Sequence, residues 1–272
     1  MMSTRLQGAP GPTSTTNARA SARQGAEPAR LLAFDSSTER LAIAVQGPAG
    51  HFTADEAGGA AASSLLLPGI ERLLEQAGLR WSDLDAVAFG RGPGAFTGLR
   101  TSCAVAQGLA VGLRKPLLPI DSQLIVAEDA RQQSGVQAGP FDIDIVMDAR
   151  MGEVYSGRFA WRDGLWSVTT PAALESPEAL FARWREHAPA ALAGSASSAM
   201  PDRPWLQAVP AERHWAHESS RAAALIVLAE AAWLAGASVD AAQALPTYLR
   251  NKVALTTAER DAMRLAAAAR VA

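Results

Sequence analysis

The feature that most constrains the fold is a group of closely spaced glycines at 90–98, between an apolar run and an alanine-rich stretch. The run at 86–89 reads Ala-Val-Ala-Phe, and glycines follow at positions 90, 92, 94 and 98. A strand, a glycine loop and a helix N-terminus in this order gather backbone N–H groups that suit a phosphate or a carboxylate. The same order also suits a tight structural corner. The block therefore predicts an α/β unit and leaves its chemistry open.

The glycine loop departs from the known phosphate-binding patterns. No Lys-Ser or Lys-Thr pair follows the second glycine, as a Walker loop requires. Pro93 removes one N–H donor from the loop, which weakens any cradle for a phosphate. Gly92 and Gly94 remain candidate nucleotide-binding residues, in a site that we interpret as vestigial.

A second polar segment ends the first apolar run of the chain. The run at 31–34 is followed directly by Asp35, Ser36, Ser37 and Thr38. One interpretation places the carboxylate at a metal-bound phosphate and the hydroxyl groups around that phosphate. The alternative is the turn of a hairpin, in which Asp and Ser bond nearby backbone N–H groups. We carry these four residues as candidate nucleotide-binding residues beside the two glycines.

The order of the apolar runs predicts the architecture. Strand-like runs are followed by alternating helices and strands, and much the same sequence of elements then repeats. This pattern predicts an α/β protein in two related lobes, each with a sheet flanked by helices. The predicted divisions are a disordered extension at 1–29, an N-terminal lobe at 30–121, a C-terminal lobe at 122–255 and a last helix at 256–272.

Composition excludes several classes of protein. The formal net charge is −2, so the chain lacks the excess of Lys and Arg expected of a protein that grips nucleic acid alone. The sole cysteine is Cys103, which excludes an intrachain disulfide and a multi-cysteine zinc site. No apolar run approaches the roughly 20 residues that span a bilayer. We expect a cytoplasmic protein without a membrane partner.

The histidines give no metal site. Of the four, only His214 and His217 are close enough in sequence to share a helix face, and the His-Glu-x-x-His order of zinc proteases is missing. We predict no metal ligands and no cofactor.

Four ordered motifs resemble one protein family. They are Leu-Leu-Ala-Phe-Asp-Ser-Ser-Thr at 31–38, Gly-Arg-Gly-Pro-Gly-Ala-Phe-Thr-Gly-Leu-Arg at 90–100, Met-Asp-Ala-Arg-Met-Gly-Glu-Val-Tyr at 147–155, and Pro-Thr-Tyr-Leu-Arg-Asn-Lys-Val-Ala at 246–254. Together they resemble the TsaB (YeaZ) family of bacterial tRNA threonylcarbamoyladenosine biosynthesis proteins, over roughly residues 30–255.

The resemblance implies a two-lobed actin-like, Hsp70-like and sugar-kinase-like (ASKHA) fold without independent catalysis. It implies a catalytic paralogue, TsaD, that carries the metal and transfers the threonylcarbamoyl group to adenosine 37 of tRNA, and an ATPase, TsaE. In this view the chain is a scaffold that meets tRNA only through the complex and that can pair with itself when alone. TsaD-like proteins carry a His-x-x-x-His pair on an N-lobe helix, whereas the comparable segment at 63–78 has no histidine.

The sequence leaves two other functions open. One is an ATP-dependent transferase or kinase of the same fold that acts alone. The other is a metallopeptidase of the glycoprotease type, which the missing metal pair disfavours.

The predicted partner surface consists of two helices, at 63–78 and 98–112. Both are rich in small and aliphatic residues, which allow helices to pack closely across a subunit boundary. The candidate interface residues are Leu66, Ile70, Leu73, Arg100, Ala104 and Gly108.

Overall fold

The computed structural model describes residues 28–200 and 205–250 and shows two five-stranded sheets. The predicted helix at 256–272 and nearly all of the predicted extension at 1–29 lie outside the described residues. The strands of the first sheet are β1 (Leu31–Asp35), β2 (Arg40–Gly47), β3 (Gly50–Ala57), β4 (Ala86–Gly92) and β5 (Leu117–Asp121). Those of the second sheet are β6 (Phe141–Asp148), β7 (Val154–Arg162), β8 (Leu165–Glu175), β9 (Leu192–Ala193) and β10 (His214–Trp215).

The helices cover the faces of these sheets. They are α1 (Ala62–Gln76), α2 (Phe96–Leu113), α3 (Ser122–Ser134), α4 (Pro177–Glu186), α5 (Ala196–Ala199), α6 (Trp205–Ala208) and α7 (Arg221–Leu234). None of the helices in the described part of the chain is both long and apolar enough to cross a membrane.

The two sheets share one topology. The first has the order β3-β2-β1-β4-β5, and the second has the order β8-β7-β6-β9-β10 when read from the matching edge. In both, the first three strands are antiparallel and the last two join in parallel. This repeat confirms the predicted α/β fold of two related halves.

Successive side chains of a strand point to opposite faces, and β1, in the middle of the first sheet, is buried on both. Leu32 and Phe34 of β1 face a core formed with α1 and α2. Leu31 and Ala33 face a second core formed with α7 and with Ile125 of α3. The continuous apolar run of β1 follows from this two-sided burial.

The packing of the helices does not follow the predicted boundary between residues 121 and 122, and the division into domains stays a prediction. Helix α7 packs on the first sheet, although it comes from the predicted C-terminal lobe. Helix α3 packs against both sheets, with Ile125 towards the first and Val126 towards the second. Val239 also pairs with Leu117 at the edge of β5. Helix α7 and the chain from Val239 to Ala244 therefore pack with the first lobe.

Candidate functional site

A cleft of about 620 Å³ lies between the two lobes. One wall contains Thr38, Glu39 and Phe96, while Asp148 and Arg150 belong to the hairpin between β6 and β7 on the other wall. Equivalent ends of the two related sheets thus face each other across the cleft. Ser37, Thr38 and Gly94 of the candidate nucleotide-binding residues line this cleft.

The turn after β1 and the glycine loop after β4 meet at the buried carboxylate of Asp35. Its Oδ1 accepts from the backbone N–H of Ser37 at 2.5 Å, and its Oδ2 accepts from Ser37 Oγ at 3.1 Å. Ser122 Oγ also donates to Oδ2 at 3.1 Å and accepts from the backbone N–H of Gly92 at 3.0 Å. A single hydroxyl thus connects the two predicted segments.

A guanidinium group supplies the positive charge beside Asp35. Nη2 of Arg221 lies 2.8 Å from Asp35 Oδ2, and both side chains are fully buried. Nη1 donates to both carboxylate oxygens of Glu218, at 2.8 and 2.9 Å. Asp35 is therefore surrounded by donors of this chain on both of its oxygens.

Two groups near this centre have shifted pKa values. Burial acts to lower the pKa of Arg221, but the charges of Asp35 and Glu218 outweigh it, so the pKa is raised and the guanidinium stays protonated. Burial raises the pKa of Asp121, the residue that caps α3 by accepting from the N–H groups of Gln123 and Leu124.

The glycines of the loop are required by close packing against the turn. A Cβ atom on Gly90 would overlap the carboxylate of Asp35, and one on Gly98 would overlap the carbonyl oxygen of Ser36. On Gly94 it would lie 2.5 Å from the carbonyl oxygen of Ser37. The space in front of these glycines is thus filled by the chain itself, which favours the structural corner over the phosphate cradle.

The structure brings all six candidate nucleotide-binding residues into one region, but not into one open site. Ser37, Thr38 and Gly94 line the cleft, whereas Asp35, Ser36 and Gly92 lie buried behind it. The corner does not fit a metal-bound phosphate, because Asp35 is already neutralised and the glycine faces are covered. Nucleotide binding by these residues stays a prediction that their contacts disfavour.

Three of the predicted interface residues are corrected by their burial. Leu66, Ile70 and Leu73 are at most 2% exposed and pack in the core between α1 and the first sheet. Their helical spacing marks the inner face of α1, so these side chains cannot contact a partner in the folded chain. The outer face of α1 carries Leu67, which is 45% exposed.

The other three predicted interface residues lie on the outer face of α2. Arg100, Ala104 and Gly108 are all exposed. Arg100 lies over the ring of Phe96, and its Nε donates to the hydroxyl of Tyr248 at 3.4 Å. A Cβ atom on Gly108 would meet none of the described atoms within 4 Å, so packing within the described chain does not require that glycine.

The segment at 241–250 forms a strap that links α2 to the second lobe. The Cys103 thiol donates to the carbonyl oxygen of Ala244 at 3.3 Å, and Gln107 donates to the same oxygen at 2.9 Å. At its other end, Arg250 lies 2.6 Å from Glu153 of the hairpin after β6. Burial raises the pKa of the Cys103 thiol, which keeps it protonated and unreactive.

The hairpin at 148–153 is an ion-paired turn. Arg150 lies 3.2 Å from Asp148 and 2.7 Å from Glu39 of the first lobe. The pair with Glu39 is exposed on both sides and therefore contributes little to stability.

Sequence reasoning missed Arg221, the residue that neutralises Asp35. A signal exists in hindsight, because Arg221 is the first residue of a helix that reads Arg-Ala-Ala-Ala-Leu-Ile-Val-Leu. A cation is unfavourable near the positive end of a helix dipole, and this one precedes an almost wholly apolar run. An anionic partner would offset this unfavourable position, although the sequence does not say which one.

The chain is similar in sequence to one family model and to named bacterial proteins. The family model described as "TsaD: tRNA N6-adenosine threonylcarbamoyltransferase" matches residues 57–195. A TsaB protein of Escherichia coli (strain K12), named a tRNA threonylcarbamoyladenosine biosynthesis protein, is 32% identical over 162 residues, which cover 58% of this chain and 67% of that protein. A Haemophilus influenzae protein of the same name is 34% identical over 158 residues, covering 57% of this chain and 60% of its own length.

A solved structure of a YeaZ protein is similar to this chain over a longer stretch. YeaZ from Pseudomonas aeruginosa superposes with a TM-score of 0.66 at 35% identity, over 81% of this chain and all of that one. The sequence motifs, the repeated sheet topology and these similarities agree, and the chain belongs to the TsaB (YeaZ) family.

Proposed function

We propose that this chain is a non-catalytic scaffold subunit in the synthesis of threonylcarbamoyladenosine at adenosine 37 of tRNA. It binds and activates a TsaD-type catalytic paralogue, with a TsaE-type ATPase as a third component, and it meets tRNA only through that complex. Membership of the TsaB family and the names of its relatives support the pathway. The match to a TsaD family model supports a partner of related fold.

The observation that carries the scaffold role is the internal neutralisation of Asp35. A nucleotide-dependent enzyme of this architecture needs a carboxylate free to hold a cation and a loop free to hold phosphates. Here Asp35 is paired with Arg221 at 2.8 Å, and Gly90 and Gly98 are covered by the turn after β1. These contacts stabilise the first lobe, and they consume the groups that such chemistry would use.

The surface that we propose for the partner lies on α1 and α2, which cover the same face of the first sheet. We define the α1–α2 surface by Leu67, Arg100, Ala104, Gly108 and Val111. Val111 is 70% exposed and Leu67 is 45% exposed, while Ala104 and Gly108 leave room for close approach of another helix. Self-association of the isolated chain would use this same surface.

Reconstitution tests the proposed function. We expect that tRNA is modified when this chain, the TsaD-type protein and the TsaE-type ATPase of the same organism are combined with threonylcarbamoyl-adenylate. Omitting this chain should reduce the modification, measured by nucleoside mass spectrometry, to background. Modification of tRNA by this chain alone would contradict the scaffold role.

The inter-lobe cleft favours one second candidate, an ATP-dependent transferase or kinase that acts alone, because its volume of about 620 Å³ suits a small-molecule ligand. Titration calorimetry separates the two functions. We expect no saturable heat when Mg–ATP is added to the isolated chain, because Asp35 already has its cation in Arg221. Tight one-to-one binding would favour the second candidate over the scaffold.

A further inference from the structure

The guanidinium of Arg221 joins three elements of the fold at one buried point. Besides its pairs with Asp35 and Glu218, Nη2 lies 3.2 Å from Ser37 Oγ and donates to the carbonyl oxygen of Ser122 at 3.3 Å. These groups belong to the turn after β1 and to the first residue of α3, while Arg221 itself begins α7. One side chain therefore fixes the relative positions of a turn and two helices.

Burying this charge is costly, because the guanidinium loses its contact with water. A buried ion pair rarely stabilises more than well-packed apolar residues of the same volume, whereas removing one partner leaves an uncompensated charge. Directional bonds to several elements also favour one arrangement of those elements over others. The contacts of Arg221 have this character.

Hydrogen bonds of Ser36 connect the turn beside the Asp35–Arg221 ion pair to α2. Ser36 Oγ donates to the carbonyl oxygen of Gly98 at 2.9 Å and lies 2.8 Å from Ser102 Oγ. The backbone N–H of Ser36 donates to Ser102 Oγ at 3.0 Å. On the next residue, the carbonyl oxygen of Ser37 accepts from the N–H of Ala95 at 2.7 Å. The turn held by Arg221 thus holds the first half of α2.

We propose that Arg221 is a positioning residue for the partner surface. Through Asp35 and Ser36, it holds the first half of α2 in the orientation that presents Arg100 and Ala104 outward. The part of this inference that concerns the partner rests on the proposed function. The part that concerns the helix does not, and it can be measured in the isolated chain.

The test uses Arg221→Met, which keeps much of the side-chain volume and removes the charge. We expect amide hydrogen exchange at 98–103 to become about tenfold faster or more, because the turn that bonds this half of α2 loses its anchor. The strand at 143–147 in the second lobe should exchange as in the wild type. Affinity for the TsaD-type partner should fall about tenfold or more.

Arg131→Met is the matched control. Arg131 is also a nearly buried arginine, paired with Glu128 at 2.7 Å and lying over the ring of Trp161, but it is on α3 and its described contacts do not include α2. We expect this variant to leave exchange at 98–103 and partner affinity within about twofold of the wild type, although it also removes a buried ion pair.

Two further variants keep the test decisive if Arg221→Met does not fold. Asp35→Asn with Arg221→Met removes both charges of the pair, and Ser102→Ala cuts the link from the turn to α2 while leaving the pair intact. Both variants should show faster amide exchange at 98–103 and lower affinity for the TsaD-type partner. The proposal is overturned if amide exchange at 98–103 is unchanged in the folded variants, or if Arg131→Met speeds that exchange equally. It is also overturned if exchange becomes faster while affinity for the partner stays the same. If the wild-type chain does not bind the TsaD-type partner, the proposed function is wrong. The amide exchange at 98–103 then decides by itself whether Arg221 positions α2.

Discussion

Replacing Gly98 with alanine is expected to destabilise the chain by about 3 kcal/mol or more, the upper part of the range for overpacked sites. The added Cβ would overlap the carbonyl oxygen of Ser36 and approach its carbonyl carbon. Both are backbone atoms of the residue that directly follows β1, and the N–H of the same residue donates to Ser102 Oγ, so a shift of this carbonyl would disturb the end of the strand and its bond to α2. Denaturant unfolding followed by circular dichroism measures the loss.

Gly108→Ala is the matched control, because it makes the same substitution in the same helix. Its Cβ would meet none of the described atoms within 4 Å, so only helix propensity changes. Alanine is favoured over glycine by about 0.8–1 kcal/mol inside a helix, and we expect a gain of that order. Destabilisation of both variants by similar amounts, or of neither, would contradict the assignment of Gly98 as a residue of close packing.

The contrast between these glycines shows what the sequence predicts about the corner. The strand, the glycine loop and the helix were predictable because apolar runs and glycine spacing are local signals. The choice between phosphate cradle and structural corner was not predictable from the loop itself. It depends on the turn after β1, more than fifty residues earlier, whose backbone fills the space beside Gly90 and Gly98.

The fold could be predicted to the level of two related α/β halves. Which helix packs on which sheet could not be predicted. Strand order repeats because each half carries the same succession of local patterns. Helix α7 returns to the first sheet across the whole second lobe, and its alanine-rich sequence fits either sheet. The pairing of Asp35 with Arg221 could not be predicted for the same reason, since the two residues are 186 positions apart in the sequence.

The error at Leu66, Ile70 and Leu73 has a simpler cause. Large aliphatic residues at helical spacing mark the face that covers the chain's own core, and partner-binding residues lie on the complementary face. On α2 the small residues Ala104 and Gly108 lie outward, because Cys103 and Ala106 provide the inner face. Exposure, rather than size, distinguishes the α1–α2 surface, which carries the large residues Leu67 and Val111 beside the small ones.

Ala104→Arg is expected to weaken association with the TsaD-type partner by about a hundredfold or more, which corresponds to about 2.7 kcal/mol. Ala104 lies outward on α2, where a close-packed partner helix would leave no space for a long side chain and no water for its charge. The substitution should not disturb the fold, since the position is exposed and arginine is a good helix former. Titration calorimetry or interferometry with the purified partner measures the change.

Ala231→Arg is the control that makes this result specific. Ala231 is also an exposed alanine in a helix of the first lobe, but α7 covers the opposite face of the sheet from α2. Its substitution adds the same charge and volume and should leave affinity within about twofold of the wild type. If Ala104→Arg binds the partner as tightly as Ala231→Arg, the partner does not pack on this part of α2. If only Ala104→Arg loses binding and both variants unfold at the wild-type midpoint, the cause is contact at the α1–α2 surface, because net charge and stability are then the same in both.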